Sequence, residues 1–302
     1  MNLVRPLFPG NLDVIADTHG EIDALHDLLA HLGYRDDGTH PEGRRLVFLG
    51  DLTDRGPNSP AVVALVQRFV DAGLAQCVLG NHDLNLLMGE RKYDNNWFHG
   101  REFFIDGKLV PQALIHDDRT RQAIKDFFRS LPLVLERHDL RIVHACWHDK
   151  MVDVARQATD VVELHDRHVR LIDAEVSTQG LDEIDRGLAF QNRNPVKVLT
   201  SGMERRVAVP FEASGKVRHE ERVPWWNEYV DSVFCVFGHY AAFAGESHGS
   251  GRAICLDYAV AKRHRERLEP GFKGTYRGKL AALRFPEKVI VFDDGMTERV
   301  SE

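Results

Sequence analysis

Strand and helix signatures alternate through the first 83 residues, and this alternation narrows the fold more than any other feature. Residues 12–17 (LDVIAD) read as a strand. The helix that follows spans residues 22–32, with Ile22, Leu25, Leu28, Leu29 and Leu32 on one face. Residues 44–51 (RRLVFLGD) form a second strand. Ser59-Pro60 then supplies a helix N-cap and a proline at the first helical position, and Val62, Leu65, Val66 and Phe69 make an apolar stripe. Residues 75–81 (AQCVLGN) form the third strand, and the whole pattern indicates an α/β domain.

Further strands are expected at residues 140–145, 232–239, 252–257, 279–285 and 288–293. They lack long helices between them, so the carboxyl-terminal part should be more antiparallel. Two packed sheets flanked by helices are the simplest arrangement. The 302 residues suit one large domain with two insertions, at about 84–132 and 149–227, forming a cap on the substrate side. The first insertion reads as mostly helical. The second begins helical and ends in a segment containing Pro, Arg and Trp. Residues 262–278, rich in Arg, Lys and Gly, read as a solvated loop.

A formal net charge of −7 gives no electrostatic case for stable binding to nucleic acid or to an anionic membrane. It does not exclude an anionic substrate, because a site built on metal ions makes its own positive field. Pro6 and Pro9 interrupt the first residues, which do not read as a secretory signal. No stretch approaches the roughly 20 apolar residues that span a bilayer. Cys77, Cys146, Cys235 and Cys255 are scattered with no CxxC pair, as expected of buried free thiols in a reducing compartment. The expected location is the cytoplasm.

Chemistry collects where the strands end. The first closes on Asp17-Thr18-His19-Gly20, the second on Gly50-Asp51 and the third on Gly80-Asn81-His82-Asp83; later ones carry His144 and Gly238-His239. Strand carboxyl ends are where open α/β sheets gather ligands. Any one of these would pass for a polar turn. Five in succession, all with metal-competent side chains, would not. Carboxylates, imidazoles and one amide without thiolates suit manganese, iron or zinc. Six ligands are too many for one tetrahedral ion and about right for two ions sharing a carboxylate, for which Asp51 is the natural bridge.

These motifs resemble the calcineurin-like metallophosphoesterase superfamily: Asp17-x-His19-Gly20, Gly50-Asp51-x-x-Asp54-Arg55-Gly56, Gly80-Asn81-His82-Asp83, Val143-His144-Ala145 and Gly238-His239. The resemblance implies a four-layer α/β/β/α sandwich. It implies a first metal on Asp17, His19 and Asp51, and a second on Asp51, Asn81, His144 and His239. It further implies in-line attack on phosphorus by a metal-bridging hydroxide. Arg55 would hold the phosphate, while His82 protonates the leaving oxygen and Asp54 orients it.

The segment Gly238-His239-Tyr240-Ala241 lacks the second His of many phosphodiesterase members, and Asp54-Arg55-Gly56 is complete. Both features point to the branch containing protein phosphatases and bacterial bis(5'-nucleosyl)-tetraphosphatases. Phosphomonoesters including phosphoprotein are the expected substrates. The alternative is a dinucleoside polyphosphate, and a non-catalytic scaffold is the less favoured third reading. Arg193, Lys197, Arg205 and Arg206 could meet additional phosphates, and residues 224–229 (PWWNEY) could stack on a base, although packing is the simpler role for the Trp pair. His148, the Cys146 thiol and His165-x-x-His168 are expected to play no catalytic or metal-binding part.

Overall fold

The computed structural model describes residues 2–213, 216–244 and 249–300. Its strands in chain order are β1 (Val4–Pro6), β2 (Leu12–Ile15), β3 (Arg45–Phe48), β4 (Ala75–Cys77), β5 (Phe103–Ile105), β6 (Lys108–Val110), β7 (Val134–Glu136) and β8 (Leu140–Val143). They continue as β9 (Glu204–Ala213), β10 (Lys216–Arg222), β11 (Phe234–Phe237), β12 (Gly249–Ser250), β13 (Ala253–Cys255), β14 (Ala281–Phe285), β15 (Val289–Phe292) and β16 (Thr297–Arg299). The helices are α1 (Ile22–Leu32), α2 (Ser59–Asp71), α3 (Asn81–Leu87), α4 (Asp118–Ser130), α5 (Asp149–Arg156), α6 (Val161–Val176), α7 (Glu183–Arg193), α8 (Pro195–Ser201) and α9 (Arg263–Glu266).

Two six-stranded sheets form the centre, ordered β16-β15-β14-β2-β3-β4 and β1-β7-β8-β11-β13-β12. Helices α1 and α2 flank the first sheet and α5 lies against the second, giving the α/β/β/α sandwich. The strands β2, β3 and β4 are parallel, with Val14 opposite Val47 and Val47 opposite Gln76. Their side chains are almost wholly buried, as expected of strands covered on both faces. Helix α1 buries Ala24, Leu25, Leu28, Leu29 and Leu32 against this sheet and ends at Gly33 in the left-handed conformation.

Three expectations need correction. The N-cap of α2 is Asn58, whose side chain accepts from Ala61 N at 3.1 Å; Ser59 is inside the helix. Strands β14, β15 and β16 are antiparallel, but β11 pairs in parallel with both β8 and β13. The reason is the chain between β8 and β11, which carries α5–α8 and returns to the same end of the sheet, so it serves as a crossover. Residues 262–278 are not a solvated loop throughout. Arg263, His264 and Glu266 are buried, with Arg263 Nη2 donating to Asp293 Oδ2 at 2.6 Å and Glu266 accepting from the backbone of Arg277 and Gly278.

Of the two insertions, residues 84–132 contain the β5–β6 hairpin as well as helix, and place Trp97 and Phe98 in the main core. Residues 149–227 contain α5–α8 and the long β9–β10 hairpin, with a small satellite core of Ile172, Val176 and Ala189. All four cysteines are free and buried. Among the described residues no helix is long and apolar enough to cross a membrane.

One buried ion pair ties the first sheet together. Arg44 Nε and Nη2 donate to the Asp13 carboxylate at 2.9 and 3.0 Å, and Nη2 also reaches Leu12 O at 2.8 Å. Tyr34 Oη donates to the same carboxylate at 2.9 Å. Removing one partner leaves a buried charge unpaired, so Arg44→Met should destabilise the protein by roughly 3–5 kcal/mol. Urea denaturation measures this, and a loss below about 1 kcal/mol, the range of exposed pairs, would contradict the assignment.

Candidate active site

The parallel strands β2, β3 and β4 of one sheet and β8 and β11 of the other end on a common basin. Asp17 and His19 follow β2, Asp51 follows β3, Asn81 and His82 open α3 after β4, His144 follows β8 and His239 follows β11. The residues read at the strand ends therefore lie around one place. Eight non-glycine residues among those described have positive φ, and five belong to this set: His19 (46°), Asp51 (47°), Asp54 (74°), Arg55 (66°) and His239 (69°). Such conformations cost about 1–3 kcal/mol each and persist where the surrounding fold enforces them.

Close backbone approach replaces side-chain bulk here. A Cβ on Gly238 would lie 1.9 Å from Asp17 Oδ1, and one on Gly80 would lie 2.1 Å from Asp51 N. Only glycine permits either approach.

Asp51 lies at the middle. His19 Nε2 is 3.6 Å from its Oδ2, His144 Nε2 is 3.5 Å from its Oδ1, and the His82 backbone N–H donates to Oδ1 at 2.9 Å. His19 Nδ1 pairs with Thr53 O at 2.9 Å and His144 Nδ1 with Leu49 O at 2.7 Å, which turns both Nε2 atoms into the basin. The Asn81 amide lies 3.2 Å from His144 Nε2 and 2.8 Å from His239 Nδ1. With its NH2 inward the amide nitrogen lies within hydrogen-bonding distance of both rings and Asp51 Oδ2; with its oxygen inward, that oxygen and the two ring nitrogens form a set of three possible ligand atoms. A cation would select the second orientation.

The electrostatics suit cations as well. Asp17 accepts from His239 N at 2.9 Å through Oδ2, while its buried Oδ1 has no hydrogen-bond partner. Burial, then the neighbouring Asp257, pushes the Asp17 carboxyl up. Burial and Asp51 raise Asp83 to about 7. Burial alone would lower His144, yet Asp51 and Asp17 outweigh it and raise that imidazole to about 10. A pocket negative enough to keep a buried imidazole protonated is one that divalent cations would neutralise. The carboxylates, imidazoles and amide thus fit such ions.

Beside this basin lies a second arrangement. His82 Nδ1 pairs with Asp54 Oδ2 at 2.6 Å, and Arg55 Nη2 lies 3.1 Å from His82 Nε2. Burial and Arg55 act to lower His82, but Asp51 and Asp54 prevail and raise it above the ordinary imidazole value. Asp54 is held at three points: Trp97 Nε1 donates to Oδ1 at 2.7 Å, its own N–H donates to Ser59 Oγ at 2.9 Å, and His82 takes Oδ2. Arg55 Nε donates to Asp94 Oδ2 at 3.1 Å.

Several supporting residues escaped the sequence reading. Trp97 and Asp94 come from the first insertion, where no recurrent spacing marks them. Asp83, visible in the Asn-His-Asp run, braces the Asp51 loop by accepting from Leu52 N at 3.1 Å and Thr53 Oγ1 at 2.9 Å. Arg222, at the end of β10, donates to His239 O at 3.0 Å and lies over the Tyr240 ring. Three of the four basic residues proposed from sequence are engaged elsewhere: Arg193 pairs with Glu175, Arg205 with Glu221 and Arg206 with Asp182. Trp225 and Trp226 are buried against Phe237, with Trp225 Nε1 donating to Ala145 O at 2.9 Å. The Cys146 thiol is buried and pushed up by that burial, and His165 and His168 belong to no metal-competent group among the described residues.

Residues 10–202, more than half of the chain, match the calcineurin-like phosphoesterase family. The chain belongs to that family. Among the described residues, His19, Asp51 and His82, and Asp51, His144 and His239, are grouped closely enough to hold divalent metal ions. The bis(5'-nucleosyl)-tetraphosphatase PrpE (asymmetrical) of Geobacillus thermodenitrificans (strain NG80-2) is 44% identical over 141 residues, 45% of this chain and 57% of that protein. The chain thus spans little more than half the length of that relative. A crystal structure of a putative diadenosine tetraphosphatase superposes with a TM-score of 0.50 at 22% identity, covering 96% of each chain. A cold-active protein tyrosine phosphatase (I115M mutant) gives 0.55 at 18% identity, covering 98% of this chain and 82% of that one. Both share the fold.

The Gly238 contact yields a direct test. Gly238→Ala should displace Asp17 and lower both bound divalent metal and hydrolysis, with the far-ultraviolet circular dichroism unchanged. Elemental analysis showing native metal content in a folded variant would refute the role given to this approach.

Proposed function

We propose that the chain is a divalent-metal-dependent phosphatase acting on phosphomonoesters, including phosphoprotein. The observation that carries this reading is the juxtaposition of the negative basin with the Asp54–His82–Arg55 arrangement. One suits cations, the other a phosphoryl group and its leaving oxygen. Asp17, His19 and Asp51 would hold one ion, and Asp51, Asn81, His144 and His239 the other. Manganese is the proposed metal, with iron or zinc served by the same donors. Bound there, two divalent ions supply Lewis-acid charge and a nucleophilic water near neutral pH.

The chain's own residues do the rest. Arg55 presents donors from a guanidinium anchored at Nε by Asp94, so its outer edge, now turned to His82 Nε2, could meet phosphoryl oxygens. Phosphate engaging that edge would take the contact now made to His82 Nε2, leaving this nitrogen to face the leaving oxygen. Asp54 holds the imidazole at Nδ1 and favours its charged form, as a general acid requires. Trp97 and Ser59 keep Asp54 in place. Arg222, beside His239, would add a second cationic contact for the phosphate.

A second reading, hydrolysis of a dinucleoside polyphosphate, is favoured by the PrpE relatives. The pairing of Arg205 and Arg206 on the surface and the burial of the Trp pair remove one support for it. We place the segments at about 84–132 and 149–227 around the site as its cap, and the protein in the reducing cytoplasm, in keeping with four buried free thiols.

His82→Asn should lower kcat by about 10²–10⁴-fold, the usual contribution of a positioned acid, while metal content stays native. Asp51→Asn should lose metal and activity together, whereas Asp54→Asn should lose mainly activity. Equal metal loss in all three variants would defeat this division. A manganese-supplemented panel of phosphopeptide, aryl phosphate and diadenosine tetraphosphate decides the substrate; a preference of about a hundredfold for the last would replace the first reading with the second.

A further inference from the structure

In an in-line displacement the leaving group departs opposite the nucleophile. If His82 is the acid, the leaving oxygen meets the His82–Arg55 edge, and whatever lies beyond Arg55 meets the rest of the leaving group. The chain there is the segment that carries Asp94. Asp94 is buried, holds Arg55 Nε at 3.1 Å and lies 3.9 Å from His82 Nδ1. Its neighbour Tyr93 is 60% exposed.

Tyr93 is nonetheless well supported. Its ring centroid lies 5.7 Å from that of Phe103, which is buried on the inward side of the β5–β6 hairpin opposite Val110. Phe103 in turn packs near the buried His264 ring of α9, at 6.1 Å. Lys108 Nζ donates to Leu268 O at 3.0 Å, tying the hairpin to the chain that follows α9. The Tyr93 side chain is also within electrostatic reach of the Arg55 guanidinium. An exposed aromatic ring, backed by a packed one and adjoining the phosphate clamp, is an arrangement for stacking.

We propose that Tyr93 is a specificity-determining residue that stacks on an aromatic ring in the leaving group, so that the preferred substrates are phosphate esters or anhydrides carrying such a ring close to the scissile bond. This rests on the proposed phosphatase reading, with His82 as acid. A nucleoside or a phenolic ring would supply the same chemistry.

The test compares kcat/KM for diadenosine tetraphosphate, O-phosphotyrosine and O-phosphoserine in the native protein, Tyr93→Ala and Tyr93→Phe, each with manganese. In Tyr93→Ala the ratio of an aromatic substrate to phosphoserine should fall roughly tenfold, the order expected for one stacked ring. Tyr93→Phe should retain the native ratio. A fall confined to one aromatic substrate identifies the source of the ring. An unchanged ratio in an active Tyr93→Ala, whether its rates are native or uniformly lower, overturns the proposal; so does an equal fall in Tyr93→Phe, which would assign the effect to the hydroxyl. A native protein inert toward all three substrates overturns the phosphatase reading and the stacking role with it.

Discussion

Asp51 carries its carboxylate on a left-handed backbone at the end of β3, with His19, His144 and Asn81 turned toward it from three other chain segments. Much of the surrounding architecture serves to keep that buried charge in place. Burial should raise its pKa, yet His144 and His82 hold it well below the carboxylate range. The loop bearing it is braced by Asp83, itself buried, and the approach of Gly80 leaves no room for a side chain. With five site residues in the left-handed region, the basin is locally unfavourable by several kcal/mol on the scale of about 1–3 kcal/mol each. Two rigid parallel strand sets, not local preference, enforce it.

The two sheets contribute differently. The β2–β3–β4 set supplies Asp17, His19, Asp51, Asn81 and His82, together with the Asp54–Arg55 turn that follows β3. The second sheet adds His144 and His239. The His239 N–H bond to Asp17 Oδ2 at 2.9 Å joins them, and His144 Nδ1 reaches Leu49 O across the same interface. A shift of one sheet against the other would separate the proposed ligands of a single ion. On the proposed ligand assignment, sheet packing and metal affinity would be linked through these two contacts.

The basin was legible in the sequence because its chemistry sits at strand ends, where Asp, Asn or His stands with glycine beside a short apolar run. The alternation of strand and helix located those ends, and the five motifs did not need tertiary information to be found. Other features did. Trp97 and Asp94 lie in an insertion without periodic signal, and their bonds to Asp54 and Arg55 exist only after that segment folds over the site. The stretch after His144, read as an insertion, also carries the crossover between the parallel strands β8 and β11. In residues 262–278 the charged composition suggested solvent, whereas an ion pair with Asp293 lets Arg263 be buried and two backbone N–H donors do the same for Glu266. Charge alone reports exposure only when partners are lacking.

That last segment bears on how the site is assembled. Arg267 pairs through both terminal nitrogens with Glu21, the residue directly after the Asp17–Gly20 turn, and its guanidinium also lies over Tyr276. Glu21 is buried, so burial pushes its carboxyl up while Arg267 opposes the rise. The same segment meets the β5–β6 hairpin through Phe103 and Lys108. It thus touches both the start of the metal-side turn and the support of the Tyr93 side. Since Arg55 is held by the residue next to Tyr93, the proposed phosphate clamp and the proposed leaving-group surface share one foundation. Altering that foundation should change substrate choice and turnover together, whereas altering the exposed Tyr93 ring alone should change choice first.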